Sequence, residues 1–388
     1  MNTSRTPDLT VRYSMLPLLY WGAFCAIVSY CSFYLLSIGF PNAVIGIIIA
    51  AAGAVSVLLQ PLVAGYADRA DSISLKYIVL IIIGLQILGF AVLLLLRGRP
   101  ALIAGIVYGC EICLHQTNTP LINALGTETL NRGLKMNYGA ARALGSVSYA
   151  LIAYMLGIIT ARSSSSCVLL AAVILLILLA VSTFLFPFEK VSRSASSSSE
   201  KAVTGLAFFR SYRRFTCVLA GCICIYLGHV LINNFTLQIV QSKGGGTAQM
   251  GTAQAIASII ELPVMFLFGR MLKKYPAKTW LKISGIFFSL KIIATLLAPN
   301  MTVYYGIQLF QMFGWALISV ASVFYINSVM RDADKIKGQA YFTMTYTLGT
   351  VAGSLIGGAL LDAFSPSAML IFGSIVSTAG TVIILIFA

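Results

Sequence analysis

Charged residues are scarce in this chain. Only 10% of its 388 residues are Asp, Glu, Lys or Arg, whereas a soluble globular domain carries about 25%, so the composition excludes a soluble fold. Just two residues are histidine, and no cluster of Cys and His completes a metal-ligand set. The phosphate-binding pattern GxxxxGK followed by Ser or Thr is missing, which argues against an ATP-driven pump. We therefore expect neither a metal nor a cofactor.

The chain has instead a series of apolar stretches of about 20 residues, each long enough to cross a ~30 Å hydrocarbon core. Hydrophobic residues make up 59% of the sequence. The predicted spans are 14–37, 42–67, 75–96, 101–124, 137–160, 167–187, 214–240, 248–269, 279–298, 302–328, 339–362 and 367–388. The pattern predicts an all-α polytopic membrane protein with twelve transmembrane helices embedded in the lipid bilayer.

The basic residues are unevenly distributed between alternate loops. With both termini in the cytoplasm, twenty of the 26 Lys and Arg residues lie in cytoplasmic loops and four in outer loops. This bias follows the positive-inside rule, so the net charge of +15 sets the topology and does not indicate nucleic-acid binding. We expect a multi-pass, monomeric protein of the cell inner membrane with cytoplasmic N- and C-termini.

The longest polar break in the sequence follows the sixth span. It is rich in serine and basic residues, which predicts a flexible cytoplasmic linker over 188–213. The linker separates an N-terminal half, 1–187, from a C-terminal half, 214–388, with six spans each. A tyrosine followed seven and eight positions later by Gly and Ser recurs in the fifth and eleventh spans. Weak internal repetition of this kind is typical of transporters built from two like halves, with the solute site near the midplane.

Charged residues inside the apolar spans are the strongest functional signal. A charge at the bilayer centre costs roughly 2.5–3.5 kcal/mol on insertion scales. Such residues usually face the interior of a helix bundle and mark the path of a substrate or ion. They are Glu111, Arg142, Glu261 and Lys291. The chain is therefore expected to move a small molecule or an ion.

Three short motifs resemble a known family. The segment PLVAGYADR at 61–69 is similar to the GxxxDR signature of the major facilitator superfamily. The segments YGAARALGSVSY at 138–149 and ELP at 261–263 resemble the lactose-permease-like branch, the oligosaccharide–proton symporters. The resemblance implies the major facilitator fold, with two pseudo-symmetric six-helix halves that work by alternating access.

The fifth span carries the expected solute-binding residues. The guanidinium of Arg142 offers donors in a rigid fork suited to hydroxyl pairs or carboxylates, and the resemblance implies that it binds sugar hydroxyls. The resemblance also places an aromatic ring for sugar stacking at Tyr149. The alternative for Arg142 is an ion pair that joins two helices. The alternative for Tyr149 is ordinary packing. Asn123 in the fourth span lies near the position where the permease has a binding glutamate.

A polar stripe in the seventh span adds two further binding candidates, His229 and Asn233, with Asn234 and Gln238 on the same side of the helix. Their side chains can line a cavity. They can equally form hydrogen bonds between helices. The spacing alone does not separate these two interpretations.

Glu261 is the first candidate for proton coupling. Burial favours the neutral, protonated form of a carboxyl group, and the resemblance places the family's eighth-helix glutamate here. The alternative is a permanent ion pair with Lys291 in the ninth span, which would hold the carboxylate ionised. Glu111 and His115, one turn apart on one face of the fourth span, form a second pair that can share a proton.

The tenth span departs from the family pattern. Where the permease has a basic residue, a histidine and a glutamate at spacings of three, this chain has Gln308, Gln311 and Gly314. The family's proton path is therefore not inherited intact. Coupling, if it occurs, has to run through Glu261, Glu111 or His115.

Two charge clusters lie in predicted cytoplasmic loops. Asp68 and Arg69 match the superfamily signature and are expected to act in gating, through ion pairs that hold the inner ends of the two halves together. The cluster at 331–335 is expected to be a solvated loop.

The sequence thus predicts a secondary active transporter and not an enzyme. The leading hypothesis is proton-coupled symport of a sugar or another small polar organic solute. Proton-driven efflux of amphipathic compounds and uncoupled facilitation are the alternatives. A membrane-bound enzyme acting on a lipid through His115 and Glu111 lacks a metal motif and a nucleophile with its base.

Overall fold

The computed structural model describes residues 8–67, 73–96, 101–132, 134–188, 206–331 and 334–388. All regular secondary structure in these residues is helical. The chain divides into two compact units, one of Met1–Phe40 with Ala51–Ser194 and the other of Pro41–Ala50 with Ala195–Ala388. The predicted gating pair Asp68–Arg69 lies outside the described residues, as does most of the predicted linker 188–213.

The described residues of the first unit form seven helices, the third of which begins in the second unit. A π-helical turn at Cys25–Ser29 joins the first helix to the second. The helices are α1 Thr10–Phe24, α2 Cys31–Ser37, α3 Asn42–Ala67, α4 Leu75–Leu96, α5 Ala101–Asn131, α6 Tyr138–Arg162 and α7 Ser166–Leu185.

Over 206–331 and 334–388, the second unit contains ten helices, several of them short because predicted spans are interrupted. A 3-10 helix at Gln308–Met312 follows the seventh of them. The helices are α8 Leu206–Ser211, α9 Arg213–Asn234, α10 Thr236–Ser242, α11 Thr247–Ile259, α12 Leu262–Lys274, α13 Ala277–Leu297, α14 Met301–Ile307, α15 Trp315–Val329, α16 Lys335–Ala363 and α17 Pro366–Phe387.

The helices suit a hydrocarbon environment. An α-helix satisfies its backbone hydrogen bonds internally, as a segment in lipid must, and large apolar side chains such as Leu95 and Leu102 cover the outer faces. Within the described residues, eleven helical stretches are long and apolar enough to cross a membrane. The helix α5, which corresponds to the fourth predicted span, is not among them and carries Glu111 and His115. The all-helical, multi-span architecture is confirmed, and the count of twelve crossings stays a prediction.

Three predicted spans of the second unit are interrupted: the seventh after Asn234, and the eighth and tenth near their middle. The helix α11 stops at Ile259 and α12 starts at Leu262, because Pro263 has no N–H to donate to the carbonyl group one turn earlier. The tenth predicted span changes from α-helix to 3-10 helix at Gln308 and resumes as α15 after Gly314. Short 3-10 segments within a helix often mark functional hinges. Glu261 lies at the break in the eighth span and Gln311 at the break in the tenth.

The segment just before α9 is ordered by aromatic packing. Phe208 of α8 is fully buried and packs against Tyr212 and Tyr341, with ring centroids 5.0 Å and 4.9 Å away. The hydroxyl of Tyr212 donates a 2.8 Å hydrogen bond to Asp334. Residues 206–211, predicted as part of a flexible linker, are therefore helical and anchored.

The prediction of a solvated loop at 331–335 is wrong for Asp334. Its side chain is fully buried and accepts hydrogen bonds from Arg331 Nη2 at 2.8 Å and Nε at 3.2 Å, besides the one from Tyr212. A buried carboxylate is stable only with partners of this kind. The sequence pattern gave no sign of Tyr212, which lies 122 positions away.

Candidate functional site

Arg142 lies over the indole ring of Trp21. Its guanidinium carbon is 4.6 Å from the ring centroid, which is a cation–π contact. The helices α6 and α1 approach closely here because residue 145 is glycine: a Cβ at Gly145 would come within 2.5 Å of the Trp21 ring. Gly145 thus permits the close approach of the two helices. At Gly139 there is no such crowding, since a Cβ would meet only Asn137, at 3.8 Å.

Tyr149 follows Arg142 along the same helix and also contacts the first helical segment. Its hydroxyl lies 2.7 Å from Ser29 Oγ in the π-helical turn. Arg142 and Tyr149 are both partly buried. The structure thus places the two predicted binding residues along one side of α6, and each has a partner in the segment 10–29.

Glu111 and His115 belong to a buried polar cluster between α4 and α5. The side-chain nitrogen of Gln86 lies 3.3 Å from His115 Nδ1 and 3.3 Å from the backbone carbonyl of Glu111. The carboxylate of Glu111 packs against Gly89, where a Cβ would overlap it. Tyr20 stacks on His115 with ring centroids 4.4 Å apart and an angle of 2° between the planes. Its hydroxyl donates to the His115 carbonyl at 2.9 Å and also contacts Thr119 Oγ1.

Several buried atoms of this cluster have no hydrogen-bond partner within the described part of the chain. They are Gln86 Oε1, Glu111 Oε2, His115 Nε2, and Asn118 Nδ2 and Oδ1. Buried polar groups in native proteins are normally paired. The cluster is therefore able to accept a proton or ordered water without displacing an existing contact.

Three buried side chains form a hydrogen-bonded chain in the second unit. Lys291 Nζ donates to Gln311 Oε1 at 2.6 Å, and Gln311 Nε2 donates to Glu261 Oε1 at 3.0 Å. Lys291 comes from α13, Gln311 from the 3-10 helix and Glu261 from the break before α12. Gln311 thus lies between the two predicted coupling residues, whose charges attract each other.

His229 lies beside this chain in an aromatic pocket. Its ring stacks on Trp315, with centroids 5.0 Å apart and 8° between the planes, and meets the edge of Phe288 at 5.1 Å. The amide nitrogen of Asn233, one turn along α9, lies 2.8 Å from His229 Nε2. Tyr346 covers Trp315 with a centroid distance of 5.1 Å.

The remaining members of the predicted stripe have other partners. Asn234 donates to Ser354 Oγ on α16 at 2.8 Å, and Gln238 donates to Asn42 Oδ1 at 2.7 Å. For these two residues the structure shows hydrogen bonds between elements, which was one of the two interpretations. Asn123 is partly buried on α5.

Sequence reasoning missed Gln311, Gln86, Trp21 and Trp315. Both glutamines are uncharged, and Gln311 was interpreted only as the loss of an ionisable group. A polar amide opposite a charged residue in a neighbouring span is the signal that could have identified them. Among the described residues, no group of three or more His, Cys, Asp and Glu side chains could hold a metal ion.

A family model confirms the superfamily suggested by the motifs. The model of the family described as MFS_1 like matches residues 10–372. The chain belongs to the MFS_1-like family. No curated protein matches the sequence.

Solved structures similar to this MFS_1-like protein are transporters. A variant of the nucleoside transporter NupG has a TM-score of 0.84 at 14% identity, covering 98% of this chain and 99% of that one. NupG itself has a TM-score of 0.78 at 16% identity, covering 100% and 98%. A POT family transporter in complex with a thioalcohol-conjugated peptide has a TM-score of 0.74 at 14% identity, covering 97% and 95%.

At these identities the likeness shows a shared fold, and the predicted major facilitator fold is confirmed. Family and structures together support a transporter and not an enzyme. The narrower resemblance to the lactose-permease-like branch stays a prediction, because the structures named are of nucleoside and peptide transporters.

Proposed function

We propose that this MFS_1-like protein is a secondary active transporter that couples uptake of a small polar organic solute to protons. The observation that carries the proposal is the buried chain Lys291–Gln311–Glu261. Charged groups in apolar spans are costly and are kept mainly where an ion or substrate passes. A neutral amide can serve as partner to a carboxyl group in both its ionised and its protonated form, so Glu261, which accepts from Gln311, is the proposed proton carrier.

The solute-binding role is assigned to Arg142 and Tyr149. The guanidinium of Arg142 lies over the ring of Trp21, and its planar fork of N–H donors suits a pair of hydroxyls or a carboxylate. Tyr149 adds a ring face and a hydroxyl on the same helix. Sugars and nucleosides both offer paired hydroxyls, and the NupG structures make nucleosides a solute class to test beside sugars. His229, Asn233 and Asn123 are proposed as further contacts.

The cluster around Glu111 and His115 is the second candidate for proton exchange. It supports this role because its buried oxygen and nitrogen atoms include unpaired ones. We rank it below Glu261 because Glu261 is joined to a cationic side chain, Lys291, through Gln311. Asp68 and Arg69 are proposed gating residues on the strength of the motif alone. The inner-membrane location, the cytoplasmic termini and a monomeric state are likewise proposals.

The test is uptake by the purified protein in liposomes. Labelled sugars, nucleosides and dipeptides are offered with and without an inward proton gradient. The proposal requires one class to accumulate above its external concentration only when the gradient is present. Equilibration without accumulation would show a facilitator, and export of amphipathic dyes against a gradient would show efflux.

A further inference from the structure

Gln311 joins Lys291 to Glu261 by hydrogen bonds, and the orientation of its amide shows which atoms donate and which accept. An ammonium group can only donate and an ionised carboxylate can only accept. The amide oxygen faces the lysine at 2.6 Å and the amide nitrogen faces the glutamate at 3.0 Å. All donors in the chain therefore point from Lys291 towards Glu261, which is the arrangement that a charged lysine and a charged glutamate require.

We propose that Gln311 is a positioning residue whose amide transmits the protonation of Glu261 to Lys291. The proposal rests on the proposed role of Glu261 in proton coupling and names the residue that connects this role to the rest of the site. When a proton adds to the carboxylate of Glu261, the new O–H needs an acceptor. Among the three hydrogen-bonded side chains, that acceptor is the amide oxygen of Gln311. The amide then reverses and turns its nitrogen towards Lys291.

Reversal of the amide leaves Lys291 facing a donor. Two donors cannot form a hydrogen bond, so the ammonium group loses its acceptor and takes a new one. A hydroxyl or carboxylate of the solute supplies that acceptor, which links proton binding to solute binding. No covalent bond other than the O–H of Glu261 forms, and the same O–H breaks when the proton leaves to the other side.

The side chains around Lys291 restrict the positions that its ammonium group can take. The titratable groups near the pair include His229 on α9, whose ring interacts electrostatically with Lys291. The ring of His229 is fixed by Trp315 and Phe288. The amide of Gln311 also occupies the position between the hydrogen-bonding atoms of Lys291 and Glu261. Without the amide, the two charges are free to form a direct ion pair that holds Glu261 ionised and removes it from proton exchange.

The chain contains a matched control for Gln311. Gln308 lies in the same 3-10 helix and is equally buried, but its side-chain nitrogen donates to the backbone carbonyl of Tyr304 at 3.2 Å. Methionine has the length of glutamine without its donor and acceptor. Gln311→Met and Gln308→Met therefore remove the same polar group from neighbouring positions. Only Gln311→Met interrupts the hydrogen bonds between Lys291 and Glu261.

The first measurement compares proton-driven accumulation with solute exchange at equal pH in proteoliposomes. Because a hydrogen bond to a charged group contributes about 1.5–3 kcal/mol, Gln311→Met is expected to lower accumulation by about tenfold or more. Exchange falls as well, because the direct ion pair withholds Lys291 from the solute, and Gln308→Met changes neither. Accumulation unchanged in Gln311→Met would overturn the proposal. Equal loss of accumulation and exchange in both variants would overturn it too.

The second measurement needs no solute and reports on Glu261 directly. The infrared band of a protonated carboxyl group is followed with pH in the full-length protein, and Glu261→Gln identifies the band by removing it. The proposal requires that the band be lost in Gln311→Met over the pH range in which the wild-type band titrates. It further requires that Lys291→Met, added to Gln311→Met, restore the band. An unchanged titration in Gln311→Met, or no restoration, would contradict the role of Gln311.

The two measurements separate the two proposals. If the wild type shows no proton-driven accumulation while the infrared results hold, the proposed function is wrong and the connection through Gln311 stands. If the wild type accumulates solute and Gln311→Met does so equally well, the proposed function stands and the role of Gln311 is wrong. Gln311→Leu serves as the second variant if Gln311→Met does not fold.

Discussion

Trp21 and Arg142 lie against each other on two helices of the same unit, with the guanidinium carbon 4.6 Å from the centre of the indole ring. The positive charge of the guanidinium thus lies over the electron-rich face of the indole. A cation–π contact contributes about 0.5–1 kcal/mol when exposed and ~2 kcal/mol when desolvated. The contact therefore fixes the orientation of the side chain more than it stabilises the fold.

Arg142→Lys is expected to weaken solute binding by about tenfold or more, because lysine keeps the charge but loses the planar fork and the stack on Trp21. The affinity is measured by equilibrium binding to the purified protein. Arg162→Lys, at the exposed end of the same helix, should bind the solute as the wild type does. Wild-type affinity in Arg142→Lys would remove Arg142 from the binding site.

Gly145→Ala is expected to reduce transport, because its Cβ would come within 2.5 Å of Trp21 Cδ1 and 3.2 Å of the Pro17 carbonyl oxygen. The indole has to shift, and Arg142 loses its platform. Overpacking of this kind costs typically about 1–3 kcal/mol, measured as a lower thermal unfolding midpoint in detergent. Gly139→Ala is the control, since no such crowding exists there, and it should leave stability and uptake unchanged. Equal behaviour of the two variants would disprove the account of this contact.

Asp334→Ala is expected to destabilise the second unit by about 2 kcal/mol or more, because hydrogen bonds to a buried charged group contribute about 1.5–3 kcal/mol. Tyr212→Phe removes one of these bonds and should cost less. Arg331→Ala should cost least, because the arginine side chain is 61% exposed and exposed ion pairs contribute about 0–1 kcal/mol. Thermal unfolding of the three variants gives the order. A larger loss for Arg331→Ala than for Asp334→Ala would contradict it.

Glu111→Gln is expected to keep proton-driven accumulation within about twofold of the wild type. The amide has the shape of a protonated carboxyl group and fits beside Gly89 without introducing a charge. Uptake in liposomes is compared with that of Glu261→Gln under the same gradient. If Glu111→Gln abolishes accumulation and Glu261→Gln does not, the proton carrier lies in the first unit.

Sequence reasoning predicted the helices well where the apolar run is continuous. The spans predicted at 42–67 and 75–96 coincide with α3 and α4, because lipid requires a full helical crossing and the polar residues at both ends mark its limits. It did not predict the interruptions after Asn234 and at Gln308. Apolar composition is the same on both sides of such a break, and only Pro263 gives a local sign of one.

The charged residues of the candidate site were predictable for a different reason. Glu261 and Lys291 stand out because a charge within an apolar span is rare and costly. Gln311 does not stand out, because an amide carries no charge and its function depends on partners 20 and 50 positions away. Tertiary folding brings these residues together, and no periodicity in the sequence indicates that they are in contact. The same holds for Tyr212 and Asp334.

The central claim is that Glu261 carries the coupling proton, and Glu261→Gln tests it most directly. Uptake into proteoliposomes is measured with an inward proton gradient, and solute exchange is measured at equal pH on both sides. The account predicts that the variant exchanges solute at a rate close to that of the wild type but no longer accumulates it. Gradient-driven accumulation that is unchanged in Glu261→Gln would contradict the claim.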